Sequence, residues 1–368
     1  MDELQKTRKE IDEIDLEIAK LFQRRMTASR NIAAYKLAHG LPVMNSGREQ
    51  AMIEHNADFV DDEVIRPYYI QFMKETLRLS RQYQHRLLEG MHVAYSGVEG
   101  AFANIAAGRI FPDAVLVPCT GFKSAYEKVV SGECEACVLP IENSYAGEVG
   151  QVMDLMFEGG LYVSGVYTLG VSQNLLGIPG SRASGITKVI SHPQALDQCS
   201  DYISHHLLTT EQADNTARAA KQVADLKDPS VGAIASRETA AIYGLEILDH
   251  DINDSAGNTT RFVTLTAMPS TNRNAGDTFM LMFTVKHAPG ALAKAVNIIG
   301  DYGFNMRVLR SRSLKGPAWH YYFFVEAEGD ESSENGRAML EELKTHCEEL
   351  KVLGSYSSVI DLEGGVTV

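Results

Sequence analysis

Three polar patches flank apolar runs, and their residue types could do chemistry. Asn258-Thr259-Thr260-Arg261-Phe262 leaves a polar run, Asp254-Ser255-Ala256-Gly257, and enters an apolar one, Phe262-Val263-Thr264-Leu265. It sets a hydroxyl, a guanidinium and an aromatic ring at a loop-to-strand edge, where α/β sheets present chemistry. Alone it fits an ordinary strand start better, because Thr favours strands. Pro140-Ile141-Glu142-Asn143-Ser144 and Ser191-His192-Pro193-Gln194 repeat the pattern. Three polar strand ends in one segment predict a shared cleft.

A different constellation lies near the start. From Leu4 an apolar stripe runs through Ile11, Ile14, Ile18, Leu21, Ala28, Ile32 and Tyr35 at heptad spacing, with no Pro or Gly before Gly40. Arg25 sits on that seam where an aliphatic residue belongs. A buried guanidinium without an anion costs several kcal/mol, so Arg25 calls for one. Lys36 lies only ~20° around the helix from Arg25, so both can lean into one pocket. Arg8 lies roughly 100° off that line and must face something else, such as a partner chain's pocket. The plain alternative is salt bridging to helix acids such as Glu17 or Glu49. A second helix after Gly40-Leu41-Pro42 carries Arg48 and Glu49, and a third, near Asp62–Leu88, carries Ser80 and Gln84 on one face.

The elements that must hold these groups divide into three blocks. Residues 1–90 read as all-helical, and a helix of ~35 residues would be ~50 Å long, more than a small domain covers, so a partner helix from a second chain is implied. Residues 91–270 alternate apolar runs (His92–Tyr95, Val115–Pro118, Ala136–Ile141, Tyr162–Val171, Lys188–Ile190, Val231–Ala235, Phe262–Thr266) with helical patterns, which predicts βαβ units and a largely parallel sheet. The Tyr162–Ile178 stretch reads as a crossover between two lobes, and Phe262–Thr266 as the return. Thr271–Gly276 is a linker by composition, and residues 277–368 read βαββαβ, a ferredoxin-like order, with the last helix at Asn335–Leu350, the last strand at Gly354–Val359 and a frayed tail at Glu363–Val368.

Composition narrows the function classes. The 368 residues allow two or three domains, and the net charge of −14 argues against a general nucleic-acid binder. Residues 1–90 carry 14 Lys+Arg against 15 Asp+Glu, leaving 20 against 33 for the rest, so cations are most available in the first block. No stretch approaches the ~20 apolar residues of a membrane span, and the polar start lacks a signal core, so a cytoplasmic protein is expected. Cys119, Cys134, Cys137, Cys199 and Cys347 fit reduced thiols. Cys134-x-x-Cys137 has ligand spacing, but no second pair or nearby His completes a zinc set. Gly97-Val98-Glu99-Gly100 lacks the third Gly of a dinucleotide fingerprint and reads as a tight strand-to-helix turn. Neither metal nor cofactor is expected.

Taken in order and spacing, Arg8, Arg25, Lys36, Arg48, Glu49, Ser80 and Gln84 resemble the active-site set of the all-helical chorismate mutases, which form intertwined dimers. That resemblance implies that Arg8 crosses to the other subunit's site, and that Asn45, where some relatives have Asp, contacts the substrate hydroxyl. Arg25 and a partner's Arg8 would clamp the substrate carboxylates, Arg48 would hold the folded conformer, and Lys36 and Gln84 would donate to the ether oxygen as the bond breaks. The stretches CVLPIENSYAGEV (137–149), SHPQALDQC (191–199) and ASRETAAIYG (235–244), with the Thr-Arg-Phe triplet, resemble prephenate dehydratases. That family has two lobes like type 2 periplasmic solute-binding proteins, with its site between them. By resemblance, Thr260 acts on the leaving hydroxyl, and Asn143, Ser144, Ser191 and Gln198 are polar contacts. Glu142 orients Ser or Thr, while Arg261 pairs with a substrate carboxylate or orders the loop. His192 is structural or catalytic. Ala103 stands where the family often has Ser.

Pro289-Gly290-Ala291-Leu292 resembles the first turn of an ACT domain, the amino-acid sensor that ends these dehydratases. The resemblance implies phenylalanine bound through Gly290, Ala291, Leu292 and Asn305, with Ser311 and Arg312 in the second regulatory motif. That motif departs from the family: relatives have Glu-Ser-Arg-Pro, this chain Arg310-Ser311-Arg312-Ser313, with Arg307 and Lys315 adding positive charge. The expectation is therefore a bifunctional chorismate mutase–prephenate dehydratase, dimeric or a pair of dimers. The rival readings are a non-catalytic ligand-binding regulator, a mutase with an arogenate cleft, and a mutase with a dead cleft.

Overall fold

In the computed structural model, residues 3–43, 45–255, 257–270, 278–314, 320–357, 359–363 and 365–367 are described, and the counts below refer to them. The linker expected at Thr271–Gly276, and Lys315, lie outside them. The chain divides into two compact units. The first holds Met1–His92 with the short segments Asp113–Val115 and Ser131–Glu135; the second holds the rest.

The first unit is three helices: α1 (Glu3–His39), α2 (Ser46–Ala57) and α3 (Arg66–Glu89). Each boundary has a local cause. Gly40 ends α1 at φ +61°, where a side chain would be strained. Asn45 caps α2, its Oδ1 accepting from Arg48 N at 3.0 Å. Before α3, Asp62 Oδ1 accepts from Val64 N at 2.8 Å, and Pro67 occupies the first turn. The core is small: Ile53, Met73 and Leu77, backed by Met52, Tyr69 and Ile70. α1 buries only Ser29 and Ala33. Its seam residues Leu4, Ile11, Ile14, Ile18 and Leu21 stay 44 to 57% exposed.

The second unit contains three sheets. An eight-stranded mixed sheet runs in the order Gly365–Thr367, Val359–Asp361, Tyr162–Gly170, Thr259–Thr266, Ala136–Asn143, His92–Ser96, Val115–Cys119, with Gly147–Glu148 beside Ala136–Asn143. A five-stranded sheet runs Glu246–Asp249, Asn174–Gly177, Val231–Ala235, Lys188–Ser191, Thr209–Gln212. The chain passes from the first sheet to the second at Gly170–Asn174 and returns between Asp249 and Thr259, as the crossover reading expects. The sheets are less parallel than expected: the returning strand Thr259–Thr266 inserts antiparallel between Ala136–Asn143 and Tyr162–Gly170. A chain that crosses over and comes back enters from the opposite end, so its last strand must run against its neighbours.

The third sheet is antiparallel, in the order Met306–Ser313, Tyr321–Glu328, Thr278–Val285, Cys347–Tyr356, with helices Ala291–Asp301 and Glu334–His346. This is the ferredoxin-like strand order. Phe279, Leu281 and Phe283 alternate along one strand and bury against Ala295, Ile299, Met339 and Leu343 of the two helices. Their neighbours Met280 and Met282 are equally buried on the opposite face. There Phe157 stacks on Tyr322 at 4.5 Å, and Lys351 donates to the carbonyls of Met156, Phe157 and Gly159, capping helix Gly150–Glu158. Two boundaries differ from expectation. The last helix stops at His346, so the strand placed at Gly354–Val359 begins at Cys347. Gly365–Thr367 of the expected frayed tail is paired: Val359–Asp361 leaves the ferredoxin-like sheet and pairs parallel with Tyr162–Gly170, and Gly365–Thr367 pairs with it in turn. The pairing is non-local, so nothing in the tail's own composition signals it.

Candidate active sites

In the first unit a cavity of about 350 Å³ is lined by Arg25, Lys36, Asn45, Arg48, Glu49, Ser80 and Gln84. Helical spacing explains the convergence: Arg25, Ser29, Ile32 and Lys36 of α1 share one face, and Ser80 and Gln84 of α3 oppose it. Arg25 donates to Ser80 Oγ, and to Thr76 O at 3.4 Å. Burial pushes the Arg25 guanidinium below its ordinary range, and no carboxylate accompanies that shift. Lys36 Nζ donates to Val43 O at 2.5 Å and to Gln84 Oε1 at 3.4 Å, while Gln84 Nε2 donates to Ser29 Oγ at 3.0 Å. Burial, and then the neighbouring Arg48, hold the Lys36 ammonium below its usual range; Glu49 partly offsets both. The cavity is thus cationic, with donors arranged for an anion.

The structure adds three details to this site. Asn45 lines the cavity while its side-chain oxygen caps α2, accepting from Arg48 N. Glu49 is paired with Arg81, a lining residue that sequence reasoning missed. Arg81 sits three residues before Gln84, on the same helix face, so the spacing was available. Arg8 is exposed and does not line the cavity of its own chain.

In the second unit a cavity of about 350 Å³ is lined by Thr260, Phe262, Asn143, His192 and Gln198, and by Ser96 and Ala103 of the first turn. That turn is tight as expected, with Gly97 at φ +104° and Gly100 at φ +85°. The register sets Thr260 opposite Asn143 and Arg261 opposite Glu142. Asn143 Nδ2 donates to Thr260 Oγ1 at 3.0 Å and to Asn258 Oδ1 at 2.8 Å. Its Oδ1 accepts from Tyr145 N, Ala146 N and Gln194 Nε2. Because Thr260 Oγ1 accepts from the amide, its own proton is free to point into the cavity. His192 caps helix Pro193–Asp197, its Nδ1 accepting from Gln194 N at 3.2 Å. Burial lowers its pKa, opposed by Asp214, so the neutral ring carries its proton on Nε2.

Four predicted contacts stand elsewhere. Successive residues of a strand face opposite ways, so Arg261 and Glu142 point away from the Thr260 side. Arg261 binds Glu142 at 3.2 Å and Glu326 of the ferredoxin-like domain at 2.9 Å, and neither Arg261 nor Glu142 lines the cavity. Glu142 also accepts from Arg310, so it orients arginines and no hydroxyl. Ser191 is fully buried and donates to Ile234 O at 2.6 Å, tying two strands of the second lobe together. Ser144 braces the loop, accepting from Thr259 N at 2.9 Å. Sequence reasoning missed Gln173, Gln194, Asp214, Asn215 and Thr216, which line the same cavity. Asn215 caps helix Thr216–Leu226 directly after a strand, a fourth polar strand end of the kind used to find the others.

In the ferredoxin-like domain, Gly290 caps helix Ala291–Asp301 at φ +78°, with Ala291 and Leu292 in its first turn. Asn305 Nδ2 donates to Glu328 Oε2 at 3.0 Å, and Arg307 pairs with the same carboxylate. Arg310 and Arg312, two apart on one strand, both reach the first lobe: Arg310 to Glu142 and Glu148, Arg312 to Glu148 at 2.8 Å and Asp154 at 3.3 Å. Ser311, between them, pairs with Phe323 in the sheet. Among the described residues no cluster of three or more His, Cys, Asp or Glu could hold a metal ion, and no helix is long and apolar enough to cross a membrane.

Comparison with known proteins places each unit. The family profile of prephenate dehydratase matches residues 93–270, and that of chorismate mutase type II matches residues 7–85. A bifunctional chorismate mutase/prephenate dehydratase of Aquifex aeolicus is 31% identical over 98% of this chain and 99% of its own length. An arogenate dehydratase/prephenate dehydratase of Arabidopsis thaliana is 37% identical over 72% of each. A prephenate dehydratase from Arthrobacter aurescens, solved in complex with L-Phe, superposes with a TM-score of 0.69 at 26% identity, covering 76% of this chain and 92% of that one.

Proposed function

Because the chain belongs to the bifunctional chorismate mutase/prephenate dehydratase family, we propose that each of its two activities resides in one of the cavities described above. The chain rearranges chorismate to prephenate and converts prephenate to phenylpyruvate in phenylalanine biosynthesis. Arg25, Lys36, Arg48, Ser80 and Gln84 form the mutase site. Chorismate is a dicarboxylate that rearranges internally, so the site needs no nucleophile. Arg25 takes one carboxylate, and Arg8 of a second copy of the chain takes the other. The exposed seam of α1 supports that dimer, because an apolar stripe of this length calls for a partner helix. Lys36 exchanges its bond to Val43 O for the ether oxygen, where negative charge grows. Holding the reactive conformer and supplying aimed donors together account for the ~8 kcal/mol that a ~10⁶-fold acceleration requires.

The second cavity removes carboxylate and hydroxide from prephenate, and aromatisation of the ring drives the loss. Thr260 is the group at the leaving hydroxyl. Asn143 holds its oxygen as an acceptor, so the Thr260 proton is directed to the substrate. This hydrogen bond is the observation that carries the assignment. His192 and Gln198 are donors for the substrate carboxylates. The arogenate reading has support in the Arabidopsis relative, but a chain that makes its own prephenate supplies prephenate to the second cavity.

The ferredoxin-like domain is an ACT sensor for L-phenylalanine, with the Gly290 turn offering backbone N–H groups to the amino-acid carboxylate. Arg310, in place of the family's Glu, ties the sensor strand to Glu142, which Arg261 also holds next to Thr260. The protein is cytoplasmic, in keeping with a cysteine content that fits reduced side chains.

Two variants test the division. Arg25→Ala abolishes chorismate turnover and keeps prephenate turnover. Thr260→Val keeps the mutase and costs the dehydratase about 10²–10³-fold, the usual cost of one aimed donor. A variant that loses both activities while remaining folded contradicts the assignment.

A further inference from the structure

Gln173 lies on the crossover between the lobes and lines the dehydratase cavity, yet it is only 2% exposed. Its main chain is fully committed. Gln173 N donates to Asn253 Oδ1 at 2.7 Å, Gln173 O accepts from Ile252 N at 2.9 Å, and Asn253 Nδ2 holds Val171 O at 3.3 Å. The next residue, Asn174, is satisfied as well, donating to Ala235 O and accepting from Asp251 N. The Gln173 side chain is the exception: its Oε1 is buried with no hydrogen-bond partner. Folding leaves few such groups, because each sacrifices its bond to water, so a buried, unpaired amide oxygen at the wall of a cavity implies a ligand atom that completes it.

The chemistry of the orphan atom selects that ligand atom. An amide oxygen only accepts, so its partner must bring an N–H or O–H. At neutral pH the two carboxylates and the ketone of prephenate only accept. The ring hydroxyl is the one donor the substrate carries. The crossover also starts beside Thr260: Leu169 pairs with Thr260, and Val171 N donates to Asn258 O at 2.7 Å.

We propose that Gln173 Oε1 accepts the ring hydroxyl proton of bound prephenate, which turns that oxygen's lone pairs toward Thr260. The proposal rests on the dehydratase reading and adds a second contact to the leaving group. It assigns the hydroxyl two partners of opposite sense, Thr260 as donor and Gln173 as acceptor, so that the oxygen presents a defined lone pair as its bond to carbon breaks.

The test is Gln173→Met, which keeps length and volume and removes the acceptor. In the full-length protein, kcat/KM for prephenate falls about 5- to 100-fold, the range for a lost buried hydrogen bond. The melting temperature holds or rises, since an unpaired buried amide oxygen has gone, and chorismate mutase activity in the same preparation is unchanged. The decisive readout is a pair of ring-reduced prephenate analogues that cannot aromatise, one with and one without the ring hydroxyl. Wild type prefers the hydroxylated analogue, and Gln173→Met loses most of that preference. Unchanged kcat/KM overturns the proposal. So does an equal loss of affinity for both analogues, which assigns the amide to a carboxylate, or a markedly lower melting temperature, which makes it structural. Wild-type protein inert toward prephenate overturns the dehydratase reading itself.

Discussion

Replacing Arg261 by Leu separates two roles that its sequence position allows. Its guanidinium lies 2.9 Å from Glu326 and 3.2 Å from Glu142, with side-chain exposures of 20%, 3% and 24% for Arg261, Glu326 and Glu142. Burial works against the charge, but Glu326, Tyr356 and Glu142 together outweigh it and hold the Arg261 pKa above its ordinary value. Glu142 keeps Arg310 after the substitution. Glu326 keeps only the Tyr356 hydroxyl, at 3.1 Å, and becomes a buried carboxylate without a cation. Breaking a buried pair in this way costs about 3–5 kcal/mol. At roughly 2–4 °C per kcal/mol for a domain of this size, the melting temperature of the second unit falls by about 6–20 °C. Changing Glu326 to Leu as well removes the stranded charge and restores most of the loss. Below the melting transition, kcat/KM for prephenate stays within about threefold of wild type, because neither side chain lines the cavity. Thermal melts of the two single variants and the double variant, with dehydratase assays in parallel, decide the matter. An unchanged melt with a dehydratase loss beyond about 100-fold would show that Arg261 binds substrate, as the sequence alone allows, and would refute the reasoning.

Other expectations follow from the same geometry. Lys36 is held below the ordinary lysine range and must be protonated to donate, so kcat/KM for chorismate falls as pH rises, on an alkaline limb lying below that range; a profile flat through the lysine range removes Lys36 from the role. Ile14→Asp with Ile18→Asp places charges on the exposed seam of α1. Sedimentation should then show monomers with the mutase lost, whereas an active monomer would mean that Arg8 of a second copy is not required. Gly290→Val puts a β-branched residue at φ +78°, costing roughly 1–2 kcal/mol locally, and should abolish any rise in melting temperature on adding L-phenylalanine; an undiminished rise moves the effector site elsewhere.

Much of this molecule was legible because helical and strand periods are strict. The seam of α1 and the spacing of Ser80 and Gln84 put Arg25, Lys36 and their partners in one cavity before any coordinates were needed. The Thr260 patch was found for the same kind of reason, and its misreading is equally instructive. Thr260 and Arg261 were treated as one constellation, yet a period of two sends adjacent side chains to opposite faces, one to the cavity and one to the ferredoxin-like domain. Gln173 was hidden in a different way. Ser172-Gln173-Asn174 breaks a long apolar run, but a polar break in a crossover gives no hint that one amide of two stays unpaired. The strand Val359–Asp361 was illegible, since its partner lies nearly 200 residues away and three apolar or charged tail residues specify no register. Arg310 read as a defect in a sensor motif; only the opposing Glu142 and Glu148 give it a purpose.

The most direct test of the whole account supplies purified protein with chorismate alone at neutral pH, without cofactor or metal, and follows chorismate, prephenate and phenylpyruvate together. Two activities in one chain predict that chorismate disappears and phenylpyruvate accumulates, with Thr260→Val halting the sequence at prephenate. Chorismate left intact would contradict the cationic cavity of the helical unit, and wild-type protein that stops at prephenate would contradict the assignment of the Thr260 cleft.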